Sequence, residues 1–264
     1  MIRFCSLSSG SSGNCIFIGT ETTRILIDAG ISGKRIEDSL CAFGECGQNI
    51  DALLITHEHC DHIQGAGIVS RRFHVPVYAT KGTWDNMYLG KIDENNKKII
   101  DPEKGSFKIG DIIVKPFRTP HDAAEPVAYT FFTNGHKLAV ATDIGHITRE
   151  ICDNIEGSEL VLLESNHDLN MLKYGSYPRD LRMRIAGDLG HLSNDNASEF
   201  ASYLAEKGTK IIVLGHLSHE NNTPTLAYDT LCSKLRDRGF ENGKEVSVYV
   251  AKRDVPMKMI CIED

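Results

Sequence analysis

Apolar residues in the first half of the chain fall in short runs cut by turn residues. IRFCS (2–6), CIFIG (15–19) and RILID (24–28) read as strands bounded by Ser, Gly and Thr. A helix is predicted over 32–43. ALLIT (52–56) follows as a buried strand, with a helix over 62–73 and a further strand at PVYA (76–79). FKIG, DIIVKPF, VAYTFFT and KLAVATD add four strands between 107 and 143. The pattern then changes. LVLLE (160–164), KIIVLG (210–215) and VSVYV (246–250) alternate with helical stretches at 194–206 and 223–238. Ser193 or Asn194 opens the first of those helices, and Gly239 closes the second. Antiparallel β giving way to alternating β and α predicts an α+β, αββα sandwich: two mixed β-sheets face to face with helices outside. There is no internal repeat and no Pro-rich linker, so residues 1–264 read as one domain.

Composition narrows the class. Hydrophobic residues make up 41% of the chain and charged residues 25%, enough apolar material for a large core. No apolar run is long enough for a membrane helix, and MIRFCSLSSG lacks the features of a secretory signal, so a cytoplasmic protein is expected. Cysteines stand at 5, 15, 41, 46, 60, 152, 232 and 261 with no CxxC pair, which disfavours a zinc finger. Cys5, Cys15 and Cys261 lie in apolar runs, so the thiols are expected to be buried and reduced. A formal charge of −7 argues against non-specific nucleic-acid binding. It leaves room for a local basic patch. Lys173, Arg179, Arg182 and Arg184 face only Asp180, either as a solvated helix face or as a surface for phosphates.

The chemistry concentrates in THEHCDH (56–62), which directly follows ALLI. Imidazole and carboxylate together suit zinc, iron or manganese. His57 and His59 are two residues apart and point the same way in an extended segment, so one ion can be held by both. Asp61 and His62 fall where strand gives way to helix and can aim at a second position. Further candidates end other strand-like runs: His121 in RTPHDA, Asp143 in VATDIGH and His216 in VLGHLSH. Convergence of several strand ends on one edge of a sandwich is the architecture of a site.

HxHxDH followed by spaced His, Asp and His resembles the metallo-β-lactamase superfamily of αββα hydrolases. The resemblance implies that His57, His59 and His121 hold one metal, that Asp61, His62 and His216 hold another, and that Asp143 bridges the two. Asp28, in LIDAG, matches a carboxylate that buttresses the histidine loop. SSGSSGNC, THEHCDHIQG, ESNHD (164–168), YPRDLRMRIAGDLGHLSN (177–194) and LGHLSHENNTP (215–225) resemble, more narrowly, the YycJ/WalJ group of bacterial metallo-hydrolases. That group is described as 5′-to-3′ DNA exonucleases. The implied protein is a metal-dependent phosphodiesterase with two divalent transition-metal ions (Zn, Mn or Fe), a nucleic-acid substrate, DNA in particular, and no membrane partner. Its attacking group is implied to be a hydroxide activated by the two metals. Asp61 would orient that group or take its proton.

Several residues keep two readings. SSGSSGN (8–14), which ends at Asn14, is either a plain hairpin connection or a loop whose small residues admit a phosphate. His167 and Asp168 either start a helix or contact substrate. Asn14, Arg182 and His219 are further candidates for contact with substrate or support of the ligands. His191, in GHLSN, is either a helix-capping loop residue or a catalytic group. In the latter role it would hydrogen-bond a phosphoryl oxygen or protonate the departing 3′-oxygen. The main rival function is a small-molecule hydrolase of the same fold, acting on a thioester, lactone or small phosphodiester. The basic segment favours the nuclease. A di-iron redox protein is disfavoured because that branch carries Glu where this chain has His59.

Overall fold

The structure is a computed structural model that describes residues 1–263. Two seven-stranded sheets pack face to face. The first contains β1 (Ile2–Ser8), β2 (Cys15–Gly19), β3 (Arg24–Ile27), β4 (Ala52–Leu54), β5 (Val77–Thr80) and β6 (Lys97–Ile100), with the last strand of the chain, β14 (Ile260–Ile262), on the outer side of β1. The second runs in order from β7 (Phe107–Ile109) through β8 (Ile112–Arg118), β9 (Val127–Thr133), β10 (His136–Ala141), β11 (Leu160–Glu164) and β12 (Ile211–Gly215) to β13 (Ser247–Val250). Each sheet begins with antiparallel hairpins and continues as parallel strands: β3 to β6 in one, β10 to β13 in the other. The expected mixed-sheet sandwich is therefore observed.

β11 shows why the apolar runs are continuous. Leu160 and Leu162 face the core between the sheets. Val161 and Leu163 face the other way, onto Ile151, Ala201, Leu204 and Leu231. Those partners belong to helices over Arg149–Ile155, Asn194–Glu206 and Pro224–Asp237. A parallel strand covered on both faces needs no polar alternation. Ser193 caps the helix over Asn194–Glu206 by accepting the N–H of Asn196, as its spacing predicts.

Two expectations are corrected, and one strand was missed. The helix expected over 62–73 is two, Cys60–Ile63 and Ala66–Phe73, broken at Gly65. The Gly65 N–H donates to Ala29 O at 2.7 Å, and a Cβ there would stand 2.2 Å from Ile31 O. The close approach of the LIDAG segment thus interrupts the helix. Cys261 is exposed, because its strand β14 is a sheet edge, while Cys5 and Cys15 are buried; all eight thiols are free. The edge strand β6, KKII, was not legible, because three of its four residues face solvent. Among the described residues no helix is long and apolar enough to cross a membrane.

Candidate metal centre

The histidines and carboxylates singled out in the sequence gather at the C-terminal ends of β3, β4, β10, β11 and β12 and in the loop after β8. Open parallel sheets place their ligand sites there. Three of the residues sit in left-handed backbone: Asp28 at φ 58°, Asp143 at 59° and His216 at 54°. Such a conformation costs a non-glycine residue roughly 1–3 kcal/mol and persists where the surroundings over-determine it. Here it turns each chain sharply at or just beyond a strand end. Gly30 is needed for the same approach, since a Cβ on it would lie 1.6 Å from Asp61 O.

Buried hydrogen bonds fix which ring nitrogens face the centre. Asp28 Oδ1 accepts from Thr56 N at 2.8 Å. Its Oδ2 accepts from the Thr56 hydroxyl at 2.9 Å and from His62 Nδ1 at 2.7 Å. His62 Nε2 is therefore the nitrogen turned to the centre. The Thr56 oxygen, its proton given to Asp28, accepts from His57 Nδ1 at 3.0 Å, so His57 Nε2 is turned there as well. His121 Nδ1 donates to Gly190 O at 3.2 Å, which leaves its Nε2 bare. His57 Nε2 and His121 Nε2 lie 3.0 and 3.3 Å from His59 Nδ1.

The second half of the centre is organised by Glu164, a residue the sequence reading did not single out. It ends β11 and is fully buried. Its Oε1 accepts from His216 Nδ1 at 2.8 Å and from His191 Nδ1 at 2.7 Å. Its Oε2 accepts from the N–H groups of Ile144 and Leu192 at 2.8 and 3.2 Å. Both imidazoles are left with Nε2 free, and His216 Nε2 is 3.5 Å from Asp61 Oδ2. Asp143 stands between the halves. Its Oδ1 is 3.6 Å from His121 Nε2 and 3.4 Å from His216 Nδ1, and its Oδ2 is 3.3 Å from His62 Nε2. That Oδ2 is buried without a hydrogen-bond donor.

These residues fit divalent metal ions. Ring nitrogens of several histidines and a carboxylate oxygen without a hydrogen-bond donor converge within 3.0–3.6 Å of one another. The ligand atoms of His57, His59 and His121 lie within 4.8 Å of one another, and so do those of Asp61, His62 and His216. Electrostatics agree. Burial works against charge on His62, yet Asp143, Asp28 and Asp61 hold its pKa well above the ordinary value. Burial likewise opposes charge on His216, which Asp143, Asp61 and Glu164 nonetheless push up to about 10. His57, whose neighbours are mostly other imidazoles, is driven well below its ordinary value, chiefly by burial. Positive charge is called for on one side of a group whose other side offers neutral lone pairs. Bound cations meet both demands.

The remaining candidates divide. His191 lies in the wall of the cleft, a cavity of about 330 Å³ that also includes Ser11, Asp122, Tyr177 and Arg184. Asn14 is scaffold to the centre. Its N–H donates to Asp61 O at 2.8 Å, and its amide nitrogen is 3.1 Å from His62 Nε2. Asp168 caps the helix over Leu169–Tyr174, accepting from Asn170 N and Met171 N. His167 is buried, is absent from the cleft wall, and has its pKa lowered by burial to about 4. Arg182 is also outside the cleft wall, its guanidinium bonded to Lys173 O. Arg184, two residues on, reaches the cleft and pairs with Asp122. His219 is exposed, bonds Glu220, and lies in a neighbouring pocket.

An αββα sandwich with clustered histidines and aspartates at its strand ends defines the metallo-β-lactamase-fold hydrolases. The profile of the beta-lactamase superfamily domain matches residues 23–217, and the chain belongs to that superfamily. It is 38% identical to the exodeoxyribonuclease WalJ of Streptococcus pneumoniae, over 96% of this chain and 95% of that one. It is equally 38% identical to the exodeoxyribonuclease YycJ of Bacillus anthracis, over 98% of each. Solved structures share the fold at low identity. Zinc-bound PqqB of Methylobacterium extorquens superposes with a TM-score of 0.71 at 18% identity, covering 98% of this chain and all of that one. The short form of human tRNase Z gives 0.63 at 17%, over 97% and 98% of the two chains.

Proposed function

We propose that this chain is a metal-dependent DNA exonuclease working through a dinuclear centre. The observation that carries the reading is its near-full-length similarity to two proteins named as exodeoxyribonucleases, in a chain that gathers both ligand groups. His57, His59 and His121 would hold one ion, and Asp61, His62 and His216 a second, with Asp143 between them. Divalent ions bound there would supply positive charge that polarises a phosphodiester and acidifies water.

The chain's own residues do the rest. Asp61, part-exposed at the cleft, orients a water molecule and accepts its proton. His191, held by Glu164 through Nδ1, presents Nε2 to the cleft. Burial opposes charge on His191, but Glu164 holds its pKa above the ordinary value, and as the imidazolium its Nε2–H donates to a phosphoryl oxygen or to the departing 3′-oxygen. Arg184 and Tyr177, from the segment between β11 and the helix over Asn194–Glu206, line the approach and hold the strand's phosphate and base.

The test is an assay of metal-reconstituted protein on end-labelled duplex and single-stranded DNA, on RNA and on small phosphodiesters. Progressive release of nucleotides from DNA ends, from the 5′ end in particular, supports the reading. Ready cleavage of thioesters or lactones with every nucleic acid left intact would replace it with the small-molecule hydrolase.

A further inference from the structure

Beside the centre lies a second pocket, of about 440 Å³, that the proposed chemistry does not use. The two cavities share Ser218 in their walls. Ser9, also in the second wall, accepts the backbone N–H of His216 at 2.8 Å, so the pocket begins against a residue of the centre itself. Leu217 and Ala251 are buried and, with Val250, give it an apolar floor. Lys252 and Arg253 supply its charge. Arg253 is held in place by donating to Leu217 O at 2.8 Å and to Ser12 Oγ at 3.4 Å, which leaves further guanidinium donors available. Lys252 makes no ion pair among the described residues, and His219 is already bonded to Glu220. Among the described residues no Asp or Glu lines this pocket, although the chain carries a net charge of −7 and Asp61, Asp122 and Asp143 all line the cleft next door.

An apolar floor with a cationic rim and no carboxylate suits an anion that carries a flat apolar body. The volume falls in the range of small-ligand sites, roughly 300–1,000 Å³. We propose that this pocket holds the terminal nucleotide of the strand being digested, its sugar and base on Leu217, Val250 and Ala251 and its 5′-phosphate on Lys252 and Arg253, with the next phosphodiester at the metal centre. The proposal rests on the exonuclease reading above. Seating the end nucleotide aligns the first phosphodiester with the centre, so the pocket confines cutting to strand ends.

The test compares wild type, K252E and K252R, all loaded with metal. Each digests a 5′-phosphorylated and a 5′-hydroxyl duplex of one sequence, and each hydrolyses bis(p-nitrophenyl) phosphate, which reaches the centre without the pocket. Wild type should favour the 5′-phosphorylated end by about tenfold in kcat/KM, since a charge-assisted contact is at stake. K252E should abolish that preference, mainly through KM. K252R should keep it, and the small diester should be hydrolysed equally by all three. Equal digestion of both ends by wild type, or an undiminished preference in K252E, overturns the pocket's role while leaving the exonuclease in place. A wild type that hydrolyses the small diester but neither DNA removes the exonuclease reading and this subsite together.

Discussion

Glu164 Oε1 lies 2.8 Å from His216 Nδ1, and no part of Glu164 reaches water. The same oxygen accepts from His191 at 2.7 Å, so one carboxylate sets the tautomer of both imidazoles. Glu164→Gln replaces an acceptor with a group that is half donor. Metal affinity should fall about 10- to 100-fold, the usual cost of losing such a partner. Chelator competition measures it, and unchanged affinity would remove Glu164 from the centre's support.

Asp28 does the same for His62 and, through Thr56, for His57. Asp28→Asn is a sharp test, because Asn tolerates the left-handed backbone at φ 58°. Its amide N–H would oppose the His62 Nδ1–H, driving the proton to Nε2 and blocking that lone pair. The expected result is loss of one ion per chain by elemental analysis, with far-UV dichroism retained.

His191→Ala should retain both ions and lose on the order of 10²-fold in kcat, with little change in DNA affinity. Loss of an ion would make His191 a ligand. Near-normal turnover would return it to the capping loop.

A pH effect is expected far from the centre. Glu45 is buried between Arg24 and Arg3, with contacts of 2.6 and 2.5 Å. Burial raises its pKa, but the hydrogen bonds from Arg24 and Arg3 outweigh that and hold the carboxyl below its usual value. A folded pKa below the unfolded one stabilises the protein above the unfolded value, about 4.3 for Glu. That stability is lost as pH falls through the folded value. Glu45→Gln should cost about 1–2 kcal/mol in urea unfolding at neutral pH. The gap between variant and wild type should close as the buffer is taken well below pH 4.3.

Much of the centre was legible because its residues sit in short motifs at the ends of strong apolar runs. HxHxDH follows ALLI, and His216 follows KIIVLG. Glu164 was not, because it reads as the polar stop of the run LVLLE. The available signal was a carboxylate ending a strand buried on both faces, which is rare without a partner. Arg184's place in the cleft was not legible, because charge counts along a segment do not say which side chain faces inward. The helix over Arg179–Ile185 turns Arg184 to the cleft and leaves Arg182 on a backbone carbonyl. The broken helix at Gly65 and the edge strand KKII depend on contacts made by distant segments or on edge position, which local pattern does not encode.

The account turns on two ions acting on DNA at one site. The most direct measurement is titration of metal-free protein with manganese or zinc while nucleotide release from a linear, end-labelled duplex is followed. Activity should rise to a plateau at two ions per chain, with nucleotides leaving progressively from the end, and Asp143→Ala should bind at least one ion fewer. A plateau at one ion per chain, or a chain saturated with two ions that leaves the DNA intact, would contradict it.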